Sequence, residues 1–184
     1  MGRTELRRDG QSGVTLIEVM LTALILTVSL LAVAATMASG ISAMFIVQEN
    51  LIAKQKARET LESVFTARST QNVTFADIRS AGDGGIFLAG WQSVKEMGAD
   101  GIANTSDDGA VETIAFPGPD GELGTGDDEH RELSNYERRI VFTDVLLPSG
   151  DVDEEIRKIT VEVRFQFHGV WNKVSVSSYI SRFA

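Results

Sequence analysis

The sequence predicts an α+β fold in which a long amino-terminal helix, part membrane-spanning and part amphipathic, packs on an antiparallel β-sheet. Three observations lead there. The 29 residues Val19–Val47 carry no ionisable side chain, helix formers free of Pro and Gly follow to about residue 67, and the carboxy-terminal third alternates apolar with polar residues.

The uncharged run exceeds the ~20 residues that cross a bilayer as a helix, so a transmembrane part is expected over about 14–47. A cleavable secretory signal is an alternative, because Arg7 and Arg8 precede the run and small residues occur around Ala35 to Ala38. Such signals usually have an apolar core of only ~7–15 residues. After Gln48, "ENLIAKQKARETLESVFTAR" places Ala53, Ala57, Leu61, Val64 and Phe65 at helical spacing, so one stripe is available to a core. A single helix over about 14–67 would be roughly 80 Å long at ~1.5 Å per residue. Its bare inner half needs lipid or other helices around it.

At the head of this helix stands "SGVTLIEV", with Gly13 before Val14-Thr15-Leu16-Ile17-Glu18. This stretch resembles the leader-cleavage motif of type IV pilins and of the pseudopilins of type II secretion. The resemblance covers about the first third of the chain. It implies a cytoplasmic leader, residues 1–13, removed by prepilin peptidase after Gly13, with N-methylation of the new terminus at Val14. Family members usually have Phe at that position, and the departure points to a minor subunit.

Glu18, the fifth residue after the cut, is the implied assembly residue. An ionised carboxylate in hydrocarbon is costly unless paired, and cleavage creates an ammonium that a neighbouring subunit can offer it. Arg3, Arg7 and Arg8 before the span and Lys54, Lys56 and Arg58 after it leave the charge bias indecisive. The resemblance sets the orientation instead. It implies an inner-membrane, single-pass protein with residues 68–184 in the periplasm or at the cell exterior, and partners that include other pilin or pseudopilin subunits, the peptidase and an inner-membrane assembly platform. The bilayer surrounds the helix before assembly.

Beyond Arg68, "GGIFLAGW", "VETIAF" and "YERRIVFTDVLL" are expected strands. Ile159, Val161, Val163, Phe165 and Phe167 alternate with polar residues, which predicts a strand with one buried face. "HGVWNK" is expected to turn the chain and "VSVSSYISRF" to return as a hairpin partner. A helix with one apolar stripe followed by such strands is the α+β arrangement, and the resemblance implies the same architecture.

Between the strands, over 98–132, lies a repeated acidic loop: "GADGIANTSDDG" from Gly98 and "GPDGELGTGDDE" from Gly118. Asp100, Gly101, Thr105, Asp107 and Asp108 correspond to Asp120, Gly121, Thr125, Asp127 and Asp128 at an offset of twenty. Gly98–Glu132 holds ten acids and one Arg, a local charge of −9 in a chain whose net charge is also −9. Glycine turns rich in oxygen side chains suit Ca²⁺, which takes ~6–8 oxygen ligands. "GADG" with its following acids resembles the calcium loop of the major pseudopilin of type II secretion. Asp100 and Asp107, assisted by Asn104 and Asp108, are the first-copy ligands expected, with Asp120, Asp127 and Asp128 in the second. A solvated loop that confers solubility is the alternative.

The acidic balance and the lack of a basic patch argue against a nucleic-acid surface. With no Cys, thiolate sites and disulfides are excluded, and His130 and His168 are too few for a multi-histidine zinc site. Exposed Gly-Asp loops offer no desolvated acid for catalysis, so no enzyme is expected. The sequence therefore points to a structural subunit of a type IV pilus or secretion pseudopilus. The alternative is a membrane-anchored extracytoplasmic binding domain or enzyme that uses the helix only as a tether.

Overall fold

The computed structural model describes residues 13–183, and the chain forms two compact units divided between Phe45 and Ile46. The leader before Gly13 lies outside the described residues. The element order is one long helix, α1 (Leu16–Ser69), then β1 (Gln92–Ser93), β2 (Thr113–Phe116), β3 (Glu129–Glu132), β4 (Tyr136–Leu146), β5 (Val152–Phe167) and β6 (Val170–Ser181).

In the first unit every residue from Gly13 to Ile41 is exposed. This part of α1 is long and apolar enough to cross a membrane, and none of it is buried. The hydroxyls of Thr27, Ser29, Thr36 and Ser39 donate to the carbonyls four residues earlier at 2.7–3.0 Å, and that of Thr22 likewise donates to Glu18 O. The stretch thus satisfies its own side-chain donors, as an apolar medium requires.

In the second unit α1 buries Glu49, Ala53, Lys56, Ala57, Thr60, Ser63, Val64 and Ala67, one face at helical spacing. Most of these side chains are small. Leu61 and Phe65, expected in the stripe, are only half-buried at its margin. The helix stops where Gln71 takes a left-handed φ of 61° and Asn72 N donates to Ala67 O at 2.9 Å, a helix-ending turn that glycine usually makes.

The main sheet is antiparallel in the order β1-β4-β5-β6, with β2 and β3 as a separate hairpin. Ile140, Ile159, Val161, Val163 and Phe165 face the helix from β4 and β5, and Phe87, Ile78, Val94, Ile102 and Leu133 complete the core. The expected alternation of β5 is thus seen, and the strand extends back to Val152. Its outer face carries a cation–π ladder that joins both tryptophans: Arg139 lies 4.6 Å from Trp91, and Arg164 lies 4.2 Å from Trp91 and 4.4 Å from Trp171.

Three local expectations change. "GGIFLAGW" is not a strand: it loops around a 3₁₀ turn at Ala81–Asp83, with left-handed Gly84 and Gly90 interrupting extension while Phe87 plugs the core. β3 has the sequence EHRE, with no apolar residue to betray it, and is held by its register with β2. The β5–β6 turn is confined to His168 and Gly169, at φ 49° and 79°, the two-residue geometry that matches strand twist.

Ala57 is fully buried against the sheet. Ala57→Leu is expected to lower stability by about 1–3 kcal/mol through overpacking, whereas the same change at exposed Lys54 should be nearly neutral. Thermal melting of the detergent-solubilised chain followed by circular dichroism checks the difference.

Candidate functional site

The proposed processing site lies where regular structure begins. Gly13, Val14 and Thr15 precede the helix, Val14 is 69 % exposed, and a side chain at Gly13 would meet nothing within 4 Å. Thr15 caps α1: its carbonyl accepts Glu18 N at 3.0 Å and Val19 N at 3.2 Å, and its Oγ1 takes a weaker contact from Glu18 N at 3.4 Å. Thr15-x-x-Glu18 is the spacing of a capping box, a signal legible in the sequence beside the cleavage motif. Glu18 therefore also sits favourably in the first turn, at the positive end of the helix dipole. It is exposed, and among the described residues it has no cation within salt-bridge distance.

Residues 8–34 match the family model described as a prokaryotic N-terminal methylation motif. The chain thus carries the hallmark of type IV pilin and pseudopilin precursors. No curated protein and no solved structure matches it. The family match ends within α1. The motif implies processing by prepilin peptidase and assembly with other pilin subunits, and together with the long apolar helix it fits a membrane-anchored pilin.

The two acidic loops fold alike. In the first, Asp107 Oδ2 accepts Asp100 N at 3.2 Å and Asp107 Oδ1 accepts the Thr105 hydroxyl at 2.7 Å, while Asp100 Oδ1 accepts Ile102 N at 2.7 Å and Asp108 Oδ2 accepts Asn104 N at 2.8 Å. In the second, Asp127 takes Asp120 N at 3.3 Å and the Thr125 hydroxyl at 2.7 Å, Asp120 takes Glu122 N at 2.8 Å, and Asp128 takes Gly124 N at 2.6 Å. Gly98 and Gly118 are needed for close approach, because a Cβ at either would collide with Asp107 or Asp127. The hydroxyls of Thr105 and Thr125, then backbone amides, hold the carboxyls of Asp107 and Asp127 below the usual aspartate range.

The copies differ in what they touch. Ile102, Ala103, Asn104 and Thr105 are buried, and Ala103 N donates to Ser63 Oγ on α1 at 3.4 Å. Asp108 meets Arg138 at 3.4 Å with both side chains almost wholly buried, and Arg138 Nη1 donates to Thr60 Oγ1 at 3.1 Å. Burial pushes the Arg138 pKa down, against the pull of Asp108, Glu112 and Glu59. In the second copy Glu122, Leu123 and Gly124 are exposed, and Asp128 Oδ1 is buried without a hydrogen-bond partner.

Among the described residues no three Asp, Glu or His side chains group as a metal centre. A cation at either loop would draw on Asp100 and Asp107, or Asp120 and Asp127, with carbonyl oxygens and water. Asn104 Oδ1 is buried and unpartnered, an acceptor of the kind such an ion satisfies, and Asn104 Nδ2 donates to Leu88 O at 2.9 Å. His130 is exposed, and His168 stacks on Phe167 at 4.2 Å within its turn.

A second set of charges, missed in the sequence because its members are far apart in the chain, fastens α1 to the domain. Arg131 donates to Glu49 at 2.7 and 3.2 Å, and the Tyr136 hydroxyl donates to the same carboxylate. Burial, then Glu49, raises the Tyr136 pKa. Lys56 bridges Glu59, at 2.8 Å, and Glu112.

Asp108 and Asp128 are equivalent by sequence but not by surroundings. Asp108→Ala is expected to cost about 3–5 kcal/mol by leaving Arg138 buried without its carboxylate, and Asp128→Ala about 1 kcal/mol or less, on the scale of one hydrogen bond. Denaturant titration of both variants checks this.

Proposed function

We propose that this precursor matures into a structural, non-catalytic and minor subunit of a type IV pilus or type II secretion pseudopilus. The observation that carries the reading is Glu18: it lies in the first turn of an exposed apolar helix, inside the methylation motif, with no cation near it among the described residues. Cutting after Gly13 and methylating Val14 leaves on every copy an ammonium four residues before Glu18, which a neighbour shifted along the axis can bring level with it. Pairing Glu18 with a neighbour's terminus neutralises both charges and sets the axial register. Before assembly α1 lies across the inner membrane as a single pass, with the domain on its outer side. The departure from Phe at Val14 supports a minor role.

Mass analysis of the membrane-extracted protein is expected to find an N-methylated Val14 terminus, and Glu18→Ala to leave processing intact while depleting the subunit from sheared filaments. An intact Met1, or a cut near Ala38, would falsify the filament reading and favour the tethered binding domain or enzyme.

We further propose Ca²⁺ as a ligand of the acidic loops, supported by the common fold of the two copies and the orphaned Asn104 Oδ1. Calorimetry on the full detergent-solubilised chain is expected to show Ca²⁺ heat and a higher melting temperature. Neither heat nor shift would remove calcium from the account.

A further inference from the structure

A sheet stays open to another chain at its edges, where the backbone groups of the last strand have no neighbour on one side. The two edges of the main sheet differ. On one side stands β1, two residues long, and β4 beyond it is interrupted by a bulge at Asp144/Val145. On the other stands β6, 12 residues paired to β5 in unbroken register, with no Pro or Gly and with Lys173 as its one charge. Short strands, bulges and charges are what blunt an edge, and β6 has little of any.

Which backbone groups face outward follows from one bond just past the end of the strand. Arg182 N donates to Glu155 O at 2.7 Å, the next pair after Ile156 and Ser181. In an antiparallel ladder alternate residues exchange both their bonds with the same neighbour, so the even-numbered residues of β6 are spent on β5. Trp171, Lys173, Ser175, Ser177, Tyr179 and Ser181 therefore turn their N–H and C=O groups to the free edge, and among the described residues no other backbone segment bonds to them there. Beside this edge Val174 and Val176, on the face that packs on the core, are only half-buried. One more strand would pair the outward groups and cover that apolar margin.

Strand direction selects the occupant. Asn172 pairs with Phe165 and Phe165 with Tyr136, whose hydroxyl reaches Glu49, whereas Arg182 O accepts Arg68 Nη2 at 2.6 Å. β6 thus runs the same way as α1, from the level of Glu49 to that of Arg68, nineteen positions or roughly 28 Å at ~1.5 Å per residue. Pairing β6 antiparallel with the β6 of a second copy would point the outer halves of the two helices in opposite directions, which copies inserted into one membrane from one side do not allow. A second copy standing the same way up would offer its β1 edge, antiparallel to β6 but only two residues long. We propose that β6 receives the edge strand of an unlike pilin-type subunit. That strand is longer than β1 and antiparallel to β6, and it lays apolar side chains over Val174 and Val176 with no basic residue opposite Lys173. The opposite edge of this chain is too short to repeat the contact, so the chain joins such a neighbour on one side only, as suits a subunit present in few copies. This rests on the filament reading and adds to it the surface and the kind of neighbour.

In cells assembling filaments with the full chain, Ser177→Pro removes one outward N–H and spares the bonds to β5, a position at which a sheet edge tolerates proline. It is expected to leave the melting temperature of the solubilised protein unchanged and to deplete the subunit from sheared filaments. Ser175→Lys, which adds a charge to the edge without altering the backbone, should do the same and serves if the proline variant fails to fold. Undiminished incorporation of a folded variant overturns the proposal. A photo-reactive phenylalanine analogue placed at Ser175 or at Tyr179 and irradiated in filaments is expected to join the chain to a different protein that carries its own N-terminal methylation motif. The partner residue struck from Tyr179 should precede the one struck from Ser175, as an antiparallel strand requires. Cross-linked dimers of this chain, partner residues in the opposite order, or filament-borne subunits that give no product each overturn the proposal and leave the filament reading standing. Subunits neither cut at Val14 nor present in filaments overturn both.

Discussion

The domain is organised by the polar groups that the buried face of α1 carries into it. That face, from Glu49 to Ala67, is made mostly of Ala, Thr, Ser and Val, and the first acidic loop comes within hydrogen-bond reach of it. Buried polar groups along it must be answered locally. Thr60 accepts from Arg138, Ser63 from Ala103 N, and Glu49 from Arg131 and Tyr136. These contacts form a polar seam along the helix. The seam spreads over most of the buried face, and it fixes which strand residues lie opposite which turn of the helix.

This arrangement explains what was legible beforehand. The uncharged run, the motif around Gly13 and the alternation in β5 are local patterns, and each corresponds to one element. β3 was hidden because Glu-His-Arg-Glu carries no apolar period; its place is set by partners in β2 and by the ion pair of its Arg131 with Glu49 of the helix. "GGIFLAGW" had the apolar content of a strand, but its glycines turn the chain and only Phe87 is fully buried in the core. The repeat showed that two loops would be alike. It could not show that one is built into the domain and the other is not, because Arg138 lies thirty residues beyond Asp108 in the chain.

The loops also separate two uses of a carboxylate. Asp107 and Asp127 face their own loop and are held by hydroxyl and amide donors, which makes the turn compact whatever surrounds it. Asp108 reaches out of its loop to a buried guanidinium, and so couples the turn to the sheet. The duplication keeps the first use in both copies and the second in one. Glu18 belongs to neither class, since nothing within the described chain answers it.

The hydroxyls of the apolar helix carry a last consequence. From Thr22 to Ser39 each one is bonded to the carbonyl a turn behind it. Such a surface offers the same face to hydrocarbon chains as to neighbouring protein. Moving it from one medium to the other breaks no hydrogen bond over that stretch, and the exchange is governed by shape and dispersion, with a single acidic group to tell the two surroundings apart.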